Sequence, residues 1–174
     1  FVAQTLGSSS LKIDGVLDET VYKQTTPLKS DISEVYFIPT ADVLVIGFTV
    51  EDEEINLSNP NEWWSGTSSV EIWIDWGNEK STTPDEVAEQ FWFVPIEGQN
   101  GRGYVGMVEN PTRGFNLRMF DYGSQVDTID MAFVFNEGVG YTMEARIDIS
   151  ELTKDYKPSG TIGFGYAAIQ GGSS

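Results

Sequence analysis

Short runs of β-branched and aromatic residues, each closed by Gly, Pro, Asn or Asp, recur along the chain and leave little room for anything but stacked strands. They predict strands at 34–38, 43–50, 69–76, 89–95, 103–108, 115–120, 131–136, 141–148 and 161–170. The alternation is cleanest at 141–148. Tyr141, Met143, Ala145 and Ile147 point one way, and Thr142, Glu144, Arg146 and Asp148 the other, which predicts one buried and one wet face. Pro39-Thr40-Ala41-Asp42 reads as a tight turn joining the first two strands in a hairpin. Parallel strands would need long crossovers that the spacing does not provide, so the expected fold is an all-β antiparallel sandwich, jelly-roll-like. One or two short helical turns are expected beside it. Asp18 suits an N-cap, with Leu17 and Tyr22 as a hydrophobic staple, Thr83-Pro84-Asp85-Glu86 suits a capping box, and 150–153 suits a single turn. With no internal repeat or linker, 1–174 reads as one domain, long enough to bury a substantial core.

Charge and missing residue types narrow the chemistry. Ten Lys and Arg stand against 27 Asp and Glu, a formal net charge of −17 that would repel nucleic acid and anionic membranes. Neutral polymers, cationic partners and divalent cations remain compatible. No apolar run approaches the roughly 18–20 residues of a membrane span. Cysteine is absent and so is histidine, which excludes disulfides, thiol nucleophiles, imidazole bases and zinc sites built from either residue.

Four segments in order carry a family likeness: Ile13-Asp14-Gly15-Val16-Leu17-Asp18-Glu19, Ser69-Val70-Glu71-Ile72-Trp73-Ile74-Asp75, Gly140-Tyr141-Thr142-Met143-Glu144-Ala145-Arg146-Ile147 and Ile162-Gly163-Phe164-Gly165. Together they resemble the family-nine carbohydrate-binding modules. The resemblance implies a secreted or cell-surface β-sandwich that binds polysaccharide or oligosaccharide without cleaving it, fused in many cases to a glycoside hydrolase. It also implies a structural calcium, with Asp52 at the position of a metal-associated Asp. Trp64 matches a sugar-stacking Trp if one residue is inserted, and Glu71 matches a sugar contact. Elsewhere the sequence departs from the family. Trp92 and Val94 stand where Arg and Asn are expected, and Ala167 and Ile169 where Gln and Asn are expected.

The residues themselves point the same way. Trp63 and Trp64 lie in a loop-like segment, and an exposed indole offers a plane for the C–H face of a sugar ring. Glu71, Trp73 and Asp75 share one face of a strand opposite Val70, Ile72 and Ile74, and Trp92 would extend that platform from a neighbouring strand. Trp76 falls on the core-facing side. Glu71 and Asp75 would lie roughly 13 Å apart along the strand, from about 3.3 Å per residue, too far for a glycosidase pair. Asp52, within Glu51-Asp52-Glu53-Glu54, offers hard oxygens for calcium. The alternatives are a surface-assembly or adhesion domain without a sugar ligand, and a haem domain of the same superfamily. The latter would have only Met107, Met119, Met131, Met143 and lysines as axial ligands.

Overall fold

In the computed structural model the residues described are 11–40, 42–57, 66–75, 77–78, 80, 88–95, 103–109, 116–120, 129–148 and 161–171. They contain one short helix, α1 (Thr20–Gln24). The strands are β1 (Leu28–Lys29), β2 (Ser33–Pro39), β3 (Val43–Glu51), β4 (Ser69–Asp75), β5 (Ala88–Pro95), β6 (Gly103–Glu109), β7 (Asn116–Phe120), β8 (Ile129–Asn136), β9 (Gly140–Asp148) and β10 (Gly163–Ile169). Each expected strand is present to within a few residues at its ends. They pair as two antiparallel sheets ordered β1-β2-β3-β9-β8 and β10-β4-β5-β6-β7, the predicted all-β sandwich. The two-residue β1 carried no sequence signal, because Leu28 and Lys29 are both exposed and set up no alternation.

Period-two alternation sends one side of each strand between the sheets. Leu44, Ile46, Phe48 and Val50 of β3 and Tyr141, Met143, Ala145 and Ile147 of β9 form one half of the core. Val70, Ile72 and Ile74 of β4 with Phe91 and Phe93 of β5 form the other. Each Val, Leu, Ile, Phe or Met among them contributes about 1.5–3 kcal/mol by leaving water. The sheets lock where Phe37 meets Phe164 at 3.9 Å between ring centres and Phe48 meets Tyr166 at 6.0 Å. The β2–β3 hairpin closes where Val43 N donates to Thr40 Oγ1 at 2.9 Å and Thr40 N to the Val43 carbonyl at 2.9 Å.

The outer face of the first sheet is not wet as its alternation predicts. The segment from Leu11 through α1 lies across it, forming a second cluster of Val21, Tyr22, Ile38 and Val45 with Leu11 and Leu17 alongside. Glu144, expected in water, is fully buried there. Its Oε2 accepts from the backbone N–H groups of Asp14 (2.9 Å) and Gly15 (3.2 Å), and its Oε1 from the Tyr22 hydroxyl (2.7 Å). A strand's polar side is read correctly from sequence, but whether another segment covers it is decided by tertiary packing. Gly47, directly opposite Glu144 in the register, leaves space for Leu17 and Tyr22. A Cβ there would come within 2.9 Å of both side chains.

Asp18 is not the N-cap of α1. Glu19 occupies that position with no side-chain capping bond, and the five-residue helix is held by burial of Val21 and Tyr22 instead. Leu17 and Tyr22 do share a cluster, as part of the covering segment. The expected turns at 83–86 and 150–153 lie outside the described residues.

Candidate functional site

Among the described residues, no such segment lies across the central rows of the second sheet's outer face, where Trp73 stays exposed. On β4, burial of Val70, Ile72 and Ile74 forces Glu71, Trp73 and Asp75 outward. Of the exposed large apolar residues among those described, Trp73 is the one aromatic, 38% exposed. Trp92 of β5 sits directly opposite Glu71 and faces the same way, half-buried, as anticipated. Gln90 sits opposite Trp73, and its Nε2 donates to Glu71 Oε2 at 2.9 Å. That bond fixes the carboxylate beside the indoles, and among the described residues Glu71 Oε1 and the Gln90 carbonyl oxygen keep acceptor capacity. Gln90 carried no sequence signal, since a lone Gln in a strand is indistinguishable from ordinary surface.

On the other flank the register sets Gly165 against Trp73, Ala167 against Glu71 and Gly163 against Asp75. The Trp73 ring lies over Gly165, where a Cβ would meet Cε3 at 3.8 Å. Asp75 Oδ2 accepts from the Lys80 N–H at 3.1 Å. Towards the other end of β5, Val94 is buried although it is on the outward side of the strand. Trp63, Trp64 and Trp76 lie outside the described residues.

Asp52, just past β3, is 3% exposed, and its Oδ2 accepts from Ser68 Oγ at 2.6 Å and Gly171 N at 3.4 Å. Ser68 Oγ also accepts from the N–H groups of Asn56 (2.9 Å) and Gly171 (3.1 Å), so the node ties the ends of β3, β4 and β10 together. Gly171 is required in this node, because a Cβ would come within 2.5 Å of Asn56 and Ser68. Calcium takes about six to eight oxygens. Glu53 and Glu54 are exposed, and no group of three or more acidic side chains stands together among the described residues. Two donors already engage one oxygen of Asp52, so a calcium ion there would need most of its oxygens from groups other than the described acidic side chains. The Tyr141 hydroxyl is buried and without a hydrogen-bond partner among the described residues. Burial, with Asp52 nearby, pushes its pKa far above the usual tyrosine value.

Met131 and Met143 pack in the core, while the Met107 and Met119 side chains lie outside the described set. Among the described residues no helix is long and apolar enough to cross a membrane.

The family model for the carbohydrate family 9 binding domain-like group matches residues 30–172, most of the chain. The chain belongs to that family. Among solved structures it is similar to a family 9 carbohydrate-binding module from Caldicellulosiruptor kristjanssonii in complex with cellotriose. The TM-score is 0.59 at 17% identity, covering 94% of this chain and 74% of that one. The same module in complex with glucose matches with the same score and identity, covering 94% and 76%. At that identity the likeness concerns the fold. No curated protein matches. Within this family 9 domain, the outer face of β4, β5 and β10 collects four of the residues singled out in the sequence, Glu71, Trp73, Asp75 and Trp92, and adds Gln90.

Proposed function

We propose that the domain binds neutral polysaccharide without cleaving it, through the open outer face of its second sheet. The carrying observation is the exposed indole of Trp73 beside the Gln90–Glu71 pair and Trp92, with only Gly165 and Ala167 opposite it and Glu71 on the β10 flank. Sugar rings stack their C–H faces on indole planes, and Glu71 accepts their hydroxyl hydrogens. Trp64, and Trp63 beside it, would add to this platform, as the family resemblance implies for Trp64. The chain would serve as an accessory module of an exported polysaccharide-degrading enzyme, or as a cell-surface anchor. A few contacts of this kind give an affinity on the order of micromolar to millimolar.

Affinity electrophoresis against soluble glucans, xylans and mannans tests the proposal. Retardation by at least one polymer, abolished in Trp73→Ala and weakened in Trp64→Ala, is the expected result. Free migration in every polymer would instead favour an adhesion or assembly domain. The apolar Val94, Ala167 and Ile169 at family sugar-contact positions speak for that second reading.

A further inference from the structure

The two sheets do not end level with each other. β10 stacks on β2 and β3 through the Phe37–Phe164 and Phe48–Tyr166 ring contacts, while on the far side β6 approaches β8. β1 and the outer edge of β2 therefore project past β10 as a ledge, with no described strand above it. Leu28 of β1 sits opposite Val35, which is fully buried between the sheets, so both side chains point to the same side. Leu28 is nevertheless 37% exposed, because the second sheet stops short of it. On β10 the inward side chains of Phe164, Tyr166 and Ala168 are only half-buried, whereas Val70, Ile72 and Ile74 of β4 beside them are fully buried. The margin is a slot, with Leu28 on its floor and β10 as its wall.

β10 is also a bare edge. Terminal strands of a sheet are usually short, charged or covered, because their free N–H and C=O groups otherwise invite another strand. β1 has two residues and carries Lys29, and β7 and β8 carry Arg118 and Asp130. β10 has seven residues without a charge, within the chain's longest uncharged stretch, 158–174. Among the described residues none pairs with its outer edge. We infer that this slot takes one extended strand of a partner polypeptide, hydrogen-bonded along β10 and laid over Leu28.

The slot sets the chemistry of that strand. It is one strand spacing wide, about 4.8 Å, and as long as β10, roughly 23 Å at about 3.3 Å per residue. Alternate residues point down against Leu28, Phe164, Tyr166 and Ala168 and must be apolar. The others face solvent beside a chain of net charge −17 and are neutral or basic. A second copy does not fit. Joining β10 to β10 would drive the ledge of each copy into the first sheet of the other, and would bring two strongly acidic molecules together.

Hydrogen exchange on the full chain reads the edge directly, and the probe is a capped peptide alternating Val with Thr between terminal lysines. Alternate β10 amides should exchange fast in the free protein and slow about tenfold or more when the peptide is added. By fluorescence polarisation the labelled peptide should bind with a Kd on the order of 10–100 μM. Leu28→Asp and Ala168→Asp should each weaken it about tenfold or more, the former with a wild-type melting temperature. A peptide with proline at its centre lacks a ladder N–H and should not bind. No binding, no slowing of the β10 amides, or equal binding by Leu28→Asp or by the proline peptide overturns the slot. β10 amides already slow throughout in the free chain mean that the chain covers its own edge. A concentration-dependent dimer in light scattering that Leu28→Asp abolishes means that a second copy does. Either result overturns the partner strand.

Discussion

Replacing Glu144 by Ala tests whether the segment from Leu11 through α1 is held by its buried carboxylate. Glu144→Ala leaves three donors without their acceptor, two of them buried: the Tyr22 hydroxyl and the Gly15 N–H. Each buried orphan costs about 1–3 kcal/mol, a gross loss of about 2–6 kcal/mol. Relief from burying the carboxylate offsets part of this, so the net loss should be about 2–4 kcal/mol, or roughly 5–15 °C in melting temperature. Hydrogen exchange localises the effect, with the Asp14 and Gly15 amides losing protection first.

The pH dependence carries a sign of its own. Burial raises the Glu144 pKa above the ordinary Glu value, outweighing the hydrogen bonds that lower it. A folded pKa above the unfolded one means the stabilisation is complete below the ordinary Glu pKa and is lost as pH rises through the folded value. The stability of wild type relative to Glu144→Gln should therefore fall across that window. An Ala variant melting within about 1 °C of wild type, with unchanged amide protection, would refute the reasoning.

Three other outcomes follow from the packing. Gly47→Ala puts a methyl group against Leu17 and Tyr22 and should cost about 1–3 kcal/mol, with faster exchange in α1 as the local readout. Asp52→Ala strips the acceptor from Ser68 Oγ and Gly171 N and should cost about 2–3 kcal/mol in chemical denaturation, with Asp52→Asn milder. Calcium added to chelator-treated protein should raise the melting temperature if Asp52 holds the ion, with the rise lost in Asp52→Asn, whereas no binding heat and no rise would remove the site.

Alternation made most of the sheets legible. In β3, β4 and β9 it separated inward from outward residues, and it placed Glu71, Trp73 and Asp75 on one side of β4, with Trp92 joining them only through the register. It had nothing to say about partners remote in sequence. Glu144 meets Asp14 across 130 positions, a contact no local pattern encodes, so a buried anchor looked like surface. The hydrogen-bond partners of Asp52 were out of reach for a related reason. Its acidic neighbours suggested a cation, whereas the groups that reach it, Ser68 and Gly171, come from distant strand ends. Gln90 is ordinary in sequence and gains meaning only from lying opposite Trp73.

The segment lying over the first sheet gives the sandwich a back and a front. With the segment from Leu11 through α1 roofing one broad side, the sugar binding proposed above falls to the other. A domain with one such side should coat a polysaccharide without stitching its chains together, and mixtures of the two should stay fluid instead of gelling.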